Sequence, residues 1–104
     1  MEIVLIDAFA VPEESKPALL ETSRAVQNVL KTLPGFVEGF VYEKRTGDGH
    51  HNVVTTTVWK DESAFENARN VVPARLRELG IDTAGRMKAL NVQIERGVFT
   101  RSAY

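Results

Sequence analysis

Two side chains in this sequence stand where chemistry would begin, Asp7 and Trp59. Asp7 lies between Ile6 and Ala8 in an otherwise apolar run from Ile3 to Ala10. A carboxylate in such a place must find a partner, face a wet cavity or be protonated. Its functional form is a general base or a substrate hydrogen-bond acceptor. Its structural form is a carboxylate paired with an Arg or a backbone amide, and both forms stay open at this point. Trp59 offers an indole that stacks on, or donates a hydrogen bond to, an aromatic substrate, although a lone Trp between a strand and a helix more often packs in a core.

Other residues qualify by sharing a face with these two. Thr55 and Thr57 fall on the Trp59 side of their strand by the period-two rule, and Phe9 falls on the Asp7 side of the first strand. Tyr42, on one side of its strand with Phe36 and Phe40, brings a hydroxyl that can orient a quinol or ketone oxygen. Arg69 sits one helical turn from Phe65 and reaches Asp7 or an anionic ligand if it faces a cleft. Asp7 and Trp59 are thus the candidate catalytic residues, and Phe9, Tyr42, Thr55, Thr57, Phe65 and Arg69 the candidate substrate contacts.

Several chemistries are disfavoured. The sequence has no Cys, which removes thiol nucleophiles, disulfides and thiolate metal ligands and points to a reducing cytoplasm. His50 and His51 are adjacent, so in extended chain they point apart and make no ordinary two-His metal site. No Gly-rich phosphate loop, Ser-His-Asp set or metal-spaced cluster occurs, and no metal is expected. Thirteen basic residues are scattered among fourteen acidic ones, for a formal charge of -1. That lacks the clustered basic footprint of a nucleic-acid binder. The N-terminal apolar run is broken at Asp7, too short for a signal sequence or a membrane span.

The elements that must position these residues fit one domain over residues 1–104. Ile3, Leu5 and Phe9 alternate with Val4, Ile6 and Ala8, so the first strand is apolar on both faces. A helix follows to about Leu33, with Leu19, Val26, Leu30 and Leu33 in its apolar stripe and Glu21, Arg24, Gln27 and Lys31 on its surface. Pro34 and Gly35 end it. Phe36 to Arg45 and Asn52 to Trp59 read as a hairpin around an Asp-Gly turn. A second helix starts at Asp61 or Ser63 and runs through Phe65, Ala68, Val72, Leu76 and Leu79, with Pro73 expected to kink or split it near Val71. A short turn capped by Asp82 precedes a last strand from Ala89 to about Thr100.

This βαββαβ order is the ferredoxin-like α+β arrangement, a four-stranded antiparallel sheet with helices on one face. With the first strand apolar on both sides, the open face needs a cover, and a second copy of the chain is the economical one.

Three segments carry a resemblance: Leu33-Pro34-Gly35-Phe36, the passage Val58-Trp59-Lys60-Asp61-Glu62-Ser63 up to Phe65, and Glu95-Arg96-Gly97-Val98-Phe99. Their order and spacing resemble the antibiotic biosynthesis monooxygenase domain family over nearly the whole chain. The resemblance implies a homodimeric α+β barrel with a small-molecule cavity between sheet and helices. Characterised relatives include cofactor-independent oxygenases of polycyclic aromatic or quinol-like substrates and haem-degrading enzymes. Both of those branches use an Asn on the first strand and a Trp at the end of the third, and the haem branch adds a His on the second helix. Trp59 matches the tryptophan, Asp7 replaces the Asn, and Ala64 to Leu79 contains no His, which disfavours haem.

The resulting expectation is a cofactor-independent monooxygenase-like protein that binds a small aromatic or quinol-type molecule, without nucleic-acid or membrane partners. A non-catalytic dimeric barrel that binds a metabolite or serves in a stress response is the alternative, since the changed Asn and missing His both weaken catalytic inheritance. Haem degradation ranks last.

Overall fold

The computed structural model describes residues 1–104. Strand β1 (Ile3–Ala10) leads through a single 3-10 turn (Glu13–Ser15) into helix α1 (Lys16–Leu30). The chain continues through β2 (Phe36–Glu43), β3 (Val53–Trp59), α2 (Glu62–Glu78), α3 (Thr83–Ala89) and β4 (Gln93–Phe99). The sheet is antiparallel throughout, in the order β2-β3-β1-β4. This is the ferredoxin-type α+β fold, with β1 and β3 central and β1 apolar on both faces apart from Asp7.

Local chemistry sets the element ends. Pro17 occupies the first turn of α1, where its missing donor costs nothing. Asp61 caps α2 by accepting a hydrogen bond from the Ala64 amide at 2.9 Å, and Asp82 caps α3 through the Gly85 amide at 3.0 Å. Of the two expected starts for the second helix, Asp61 is the one used. Helix α2 runs unbroken through Pro73, so the expected split near Val71 does not occur. The packed stripe Phe65, Ala68 and Leu76 holds both halves of the helix on the sheet, which outweighs one lost backbone bond.

The last strand is shorter than its alternation suggests. Leu90 closes α3, Asn91 turns the chain at φ 59, and Val92 packs inward, so pairing begins only at Gln93.

A bulge in β2 corrects another expectation. The register slips between Phe36 and Glu38, so Phe36 lies opposite Trp59 on the helix-covered face while Phe40 and Tyr42 lie on the other. Phe36 meets Trp59 edge-on, with ring centroids 5.6 Å apart.

The core divides in two. Ile3, Leu30, Leu33, Trp59, Phe65 and Ala68 pack at one end of the sheet, and Phe9, Val11, Leu19 and Val53 at the other. Between them the helix-covered face carries polar groups: Asp7, Thr55 and Thr57 from the sheet, and Thr22, Ser23 and Gln27 from α1. The opposite face carries Val4, Ile6, Ala8, Val54 and Val58, flanked by exposed Phe40, Tyr42 and Phe99.

Gly35 joins α1 to β2 at φ 79, and a Cβ there would collide with Cβ of Ala64 at the start of α2. Gly35→Ala therefore combines left-handed backbone strain with a steric clash. It is expected to destabilise the protein by about 2–4 kcal/mol, read as a lowered urea midpoint; an unchanged midpoint would contradict this account of the junction.

Candidate functional site

The polar gap between the two apolar clusters opens into a cleft of about 1090 Å³ between the sheet, α1, α2 and α3. Its size is at the upper end of small-molecule pockets. Asp7, Arg96, Thr55, Thr57 and Leu5, from the two middle rows of the sheet, form the centre of its floor. One row runs Val41, Thr55, Asp7, Arg96 across the four strands, and the next runs Gly39, Thr57, Leu5, Val98.

Asp7 is 8% exposed and directly opposite Arg96 on β4. Arg96 Nε donates to Asp7 Oδ1 at 2.7 Å and Nη2 donates to Oδ2 at 2.9 Å, a bidentate pair. The structural form weighed for Asp7, pairing with an Arg, is the one the fold builds. The Arg is not Arg69, which instead contacts Glu66 at 3.2 Å and lies over the Phe65 ring at the cleft rim. Hydrogen bonding to Asp7 raises the Arg96 pKa, burial opposes the rise, and the Asp7 charge adds to it. A cation raised in this way contributes fully at all pH below its unfolded value and loses that contribution only as pH climbs past the folded one. For Arg96 both values lie above any working pH, so its charge is constant.

Seven of the eight residues singled out from sequence meet in this cleft: Asp7, Phe9, Thr55, Thr57, Trp59, Phe65 and Arg69 all line it. Trp59 does so from within the larger apolar cluster, so it is core and cleft wall at once. Tyr42 is the exception. The β2 bulge puts it on the opposite face, 52% exposed, with its ring 6.1 Å from that of Phe40.

Arg96 lies outside the candidates that sequence supplies, because only the register of β1 against β4 reveals it as the partner of Asp7. The sequence pattern also puts Gln27 on the surface. Gln27 is 7% exposed and lines the cleft together with Thr22, Ser23 and Val26, a set spaced at three to four residues along α1. That spacing was the available signal, hidden because the four are mostly polar.

Nothing in this cleft fits axial haem ligation by histidine. The cleft side of α2 presents Phe65, Ala68, Arg69, Val72, Pro73, Leu76 and Arg77, and neither His lines the cavity. His51 instead contacts Glu95 at 3.2 Å. No three His, Asp or Glu side chains converge as a metal site, and no helix is long and apolar enough to cross a membrane.

Breaking the Asp7–Arg96 pair from the Arg side would leave a nearly buried carboxylate without its donors. Arg96→Met is expected to cost about 1–3 kcal/mol of stability. Asp7→Asn in that background should recover part of the loss in a urea-denaturation double-mutant cycle. Additivity to within about 0.3 kcal/mol would show that the two side chains are not coupled.

Comparison with known proteins places these features in context. The family model for antibiotic biosynthesis monooxygenase matches residues 2–71. Two crystal structures of SnoaB, a cofactor-independent oxygenase from Streptomyces nogalater, are similar over 99% of this chain and 95% of that one. They share 24% and 27% identity, with TM-scores of 0.76 and 0.64. The heme-degrading protein Rv3592 from Mycobacterium tuberculosis is similar over 68% of this chain and 80% of that one, at 25% identity and TM-score 0.58. No curated protein matches in sequence.

Proposed function

The chain belongs to the antibiotic biosynthesis monooxygenase family, and from that premise we propose that its cleft binds a small aromatic or quinol-type molecule and lets it react with dioxygen without a bound cofactor. The observation that carries this reading is the convergence, in one cleft, of a paired carboxylate and guanidinium with aromatic and apolar walls from Phe9, Trp59 and Phe65. Similarity to a cofactor-independent oxygenase at 27% identity supports it.

In this reading the substrate supplies the electrons. Proton loss from an acidic methylene beside an aromatic ring leaves an electron-rich anion, which dioxygen oxidises. One oxygen atom becomes a new carbonyl and the other leaves as water, together with the two hydrogens of the methylene. Asp7 takes the first proton: a carboxylate offers about four lone-pair sites, and bidentate pairing uses only two of them. Arg96 holds Asp7 in place and stabilises negative charge that develops on the substrate. Trp59 and Phe65 orient the rings, and the apolar walls exclude water.

The same reading has the chain act as a homodimer, two sheets facing each other. The open face supports this: half-buried Val4, Ile6, Ala8 and Val54 form an apolar strip beside Thr56, rimmed by exposed Phe40, Tyr42 and Phe99, a surface that water covers poorly. Tyr42, displaced from the cleft, belongs to that face.

Two measurements test the proposal. With 1,8-dihydroxyanthrone as substrate, the protein should accelerate oxygen uptake, and Asp7→Asn should reduce kcat/KM by roughly 10²-fold or more; no acceleration by the unmutated protein, or an unaffected variant, would remove the catalytic reading in favour of a binding protein. Ile6→Lys should convert a dimer into a folded monomer in native mass spectrometry. An unmutated protein that is itself monomeric at high micromolar concentration would end the barrel proposal.

A further inference from the structure

Two buried polar atoms in the molecule have no hydrogen-bond partner, Oε1 of Gln27 and Oγ1 of Thr57. Both residues line the cleft, and both are more than nine-tenths buried, at 7% and 5% exposure. Polar atoms so placed are rare in folded proteins, because each loses its water without regaining a bond.

The two atoms come from different elements and meet at one place. Thr57 on β3 is directly opposite Gly39 on β2. The amide of Gln27, reaching down from α1, lies over Gly39 so closely that a Cβ on that glycine would collide with Oε1. Side chains directly opposite on adjacent strands stand about 4.5–5.5 Å apart at Cβ. Oε1 of Gln27 therefore occupies the position that a side chain at residue 39 would fill, next to Thr57. A ligand atom placed between the two residues would have both groups available to it. The glycine has a clear use here, since any other residue would push the amide away from the threonine.

The chemistry of the two groups selects the ligand atom. The amide oxygen only accepts, whereas the threonine hydroxyl both donates and accepts. An ether or a carbonyl oxygen can accept from Thr57 but leaves Gln27 unanswered. A hydroxyl satisfies both, donating to Oε1 of Gln27 and accepting from Oγ1 of Thr57. We propose that Gln27 and Thr57, brought together over Gly39, form a hydroxyl-recognising subsite that makes the cleft selective for hydroxylated aromatic molecules over their ethers and quinones. This rests on the reading of the cleft as an aromatic-binding site. It adds which substituent the ligand must carry, and two specificity-determining residues that act by binding rather than by proton transfer.

Calorimetric titration of the purified protein with 1-naphthol, 1-methoxynaphthalene and 1,4-naphthoquinone tests it. The unmutated protein should bind 1-naphthol roughly tenfold or more tightly than the ether or the quinone, the discrimination expected of a site built to hydrogen-bond a hydroxyl. Gln27→Met, which keeps shape and removes the acceptor that only a hydroxyl can satisfy, should bring the naphthol affinity to within about twofold of the ether's, whereas Thr57→Val, which removes the donor that all three ligands use, should weaken all of them. Equal affinity for naphthol and ether in the unmutated protein overturns the subsite and leaves the aromatic cleft standing. Selectivity that persists in Gln27→Met also overturns it, since the hydroxyl would then be read elsewhere. No binding of any of the three naphthalenes overturns the aromatic cleft itself and the subsite with it. The comparison of ligands on the unmutated protein needs no variant to fold.

Discussion

A carboxylate in the middle of an apolar central strand needs a cation, and the position of Asp7 on β1 makes that requirement the constraint on which much of the molecule depends. Arg96 meets it from the facing position of β4, with both nitrogen–oxygen contacts under 3 Å. A one-residue slip of β4 would send Arg96 to the other face of the sheet and leave Asp7 alone, so the pair pins the register of the edge strand. The geometry also moderates the usual desolvation cost of a buried ion pair. Arg96 reaches in from the sheet edge with its side chain 64% exposed, so only the carboxylate end of the pair loses most of its water.

The same pair interrupts the core. On a sheet covered by helices, the row through Asp7 and the neighbouring row through Thr57 would ordinarily be filled by apolar side chains. Here α1 answers them with Thr22, Ser23 and Gln27, between Leu19 at one end and Leu30 at the other. Apolar layers on either side anchor the helix, and the layer between them cannot close as a dry core because its groups want hydrogen bonds. A cleft is the physical outcome of that sequence of layers. Its polar floor and apolar walls give it the character of a small-molecule site. The fold alone does not choose among the reactions its relatives perform, and the side chains that distinguish this chain are Asp7, Arg96 and the Gln27–Thr57 pair.

The opposite face of the sheet follows a separate logic. With no helix over it, its side chains are set by the alternate positions of the strands: mostly apolar in the centre, around Thr56, with Phe40, Tyr42 and Phe99 alongside Glu38 and Glu95 on the edge strands. The β2 bulge divides the aromatic residues between the two faces, giving Phe36 to the core beside Trp59 and leaving Phe40 and Tyr42 outside. One extra residue in one strand thus decides which aromatic groups belong to the cleft side and which are left for an assembly surface.

The order of elements, the antiparallel sheet and part of the cleft's lining were legible in the sequence, because they depend on near-neighbour properties: the apolar run of β1, β-rich runs on either side of an Asp-Gly turn, helical spacing on α1 and α2, and caps at Asp61 and Asp82. The same periodicities put Asp7 with Phe9 on one side of β1, and Thr55 and Thr57 with Trp59 on one side of β3, but that the two sets share a face follows from the register between the strands. What the sequence could not determine is contact between segments far apart in the chain. That Asp7 pairs with Arg96 depends on the register of two strands separated by most of the chain. The burial of Gln27 depends on a glycine at the facing position of β2, and the loss of Tyr42 from the cleft on a bulge that breaks the period of two. Each is a matter of tertiary register, in which side chains of unchanged chemistry acquire a role only from what the rest of the chain brings opposite them.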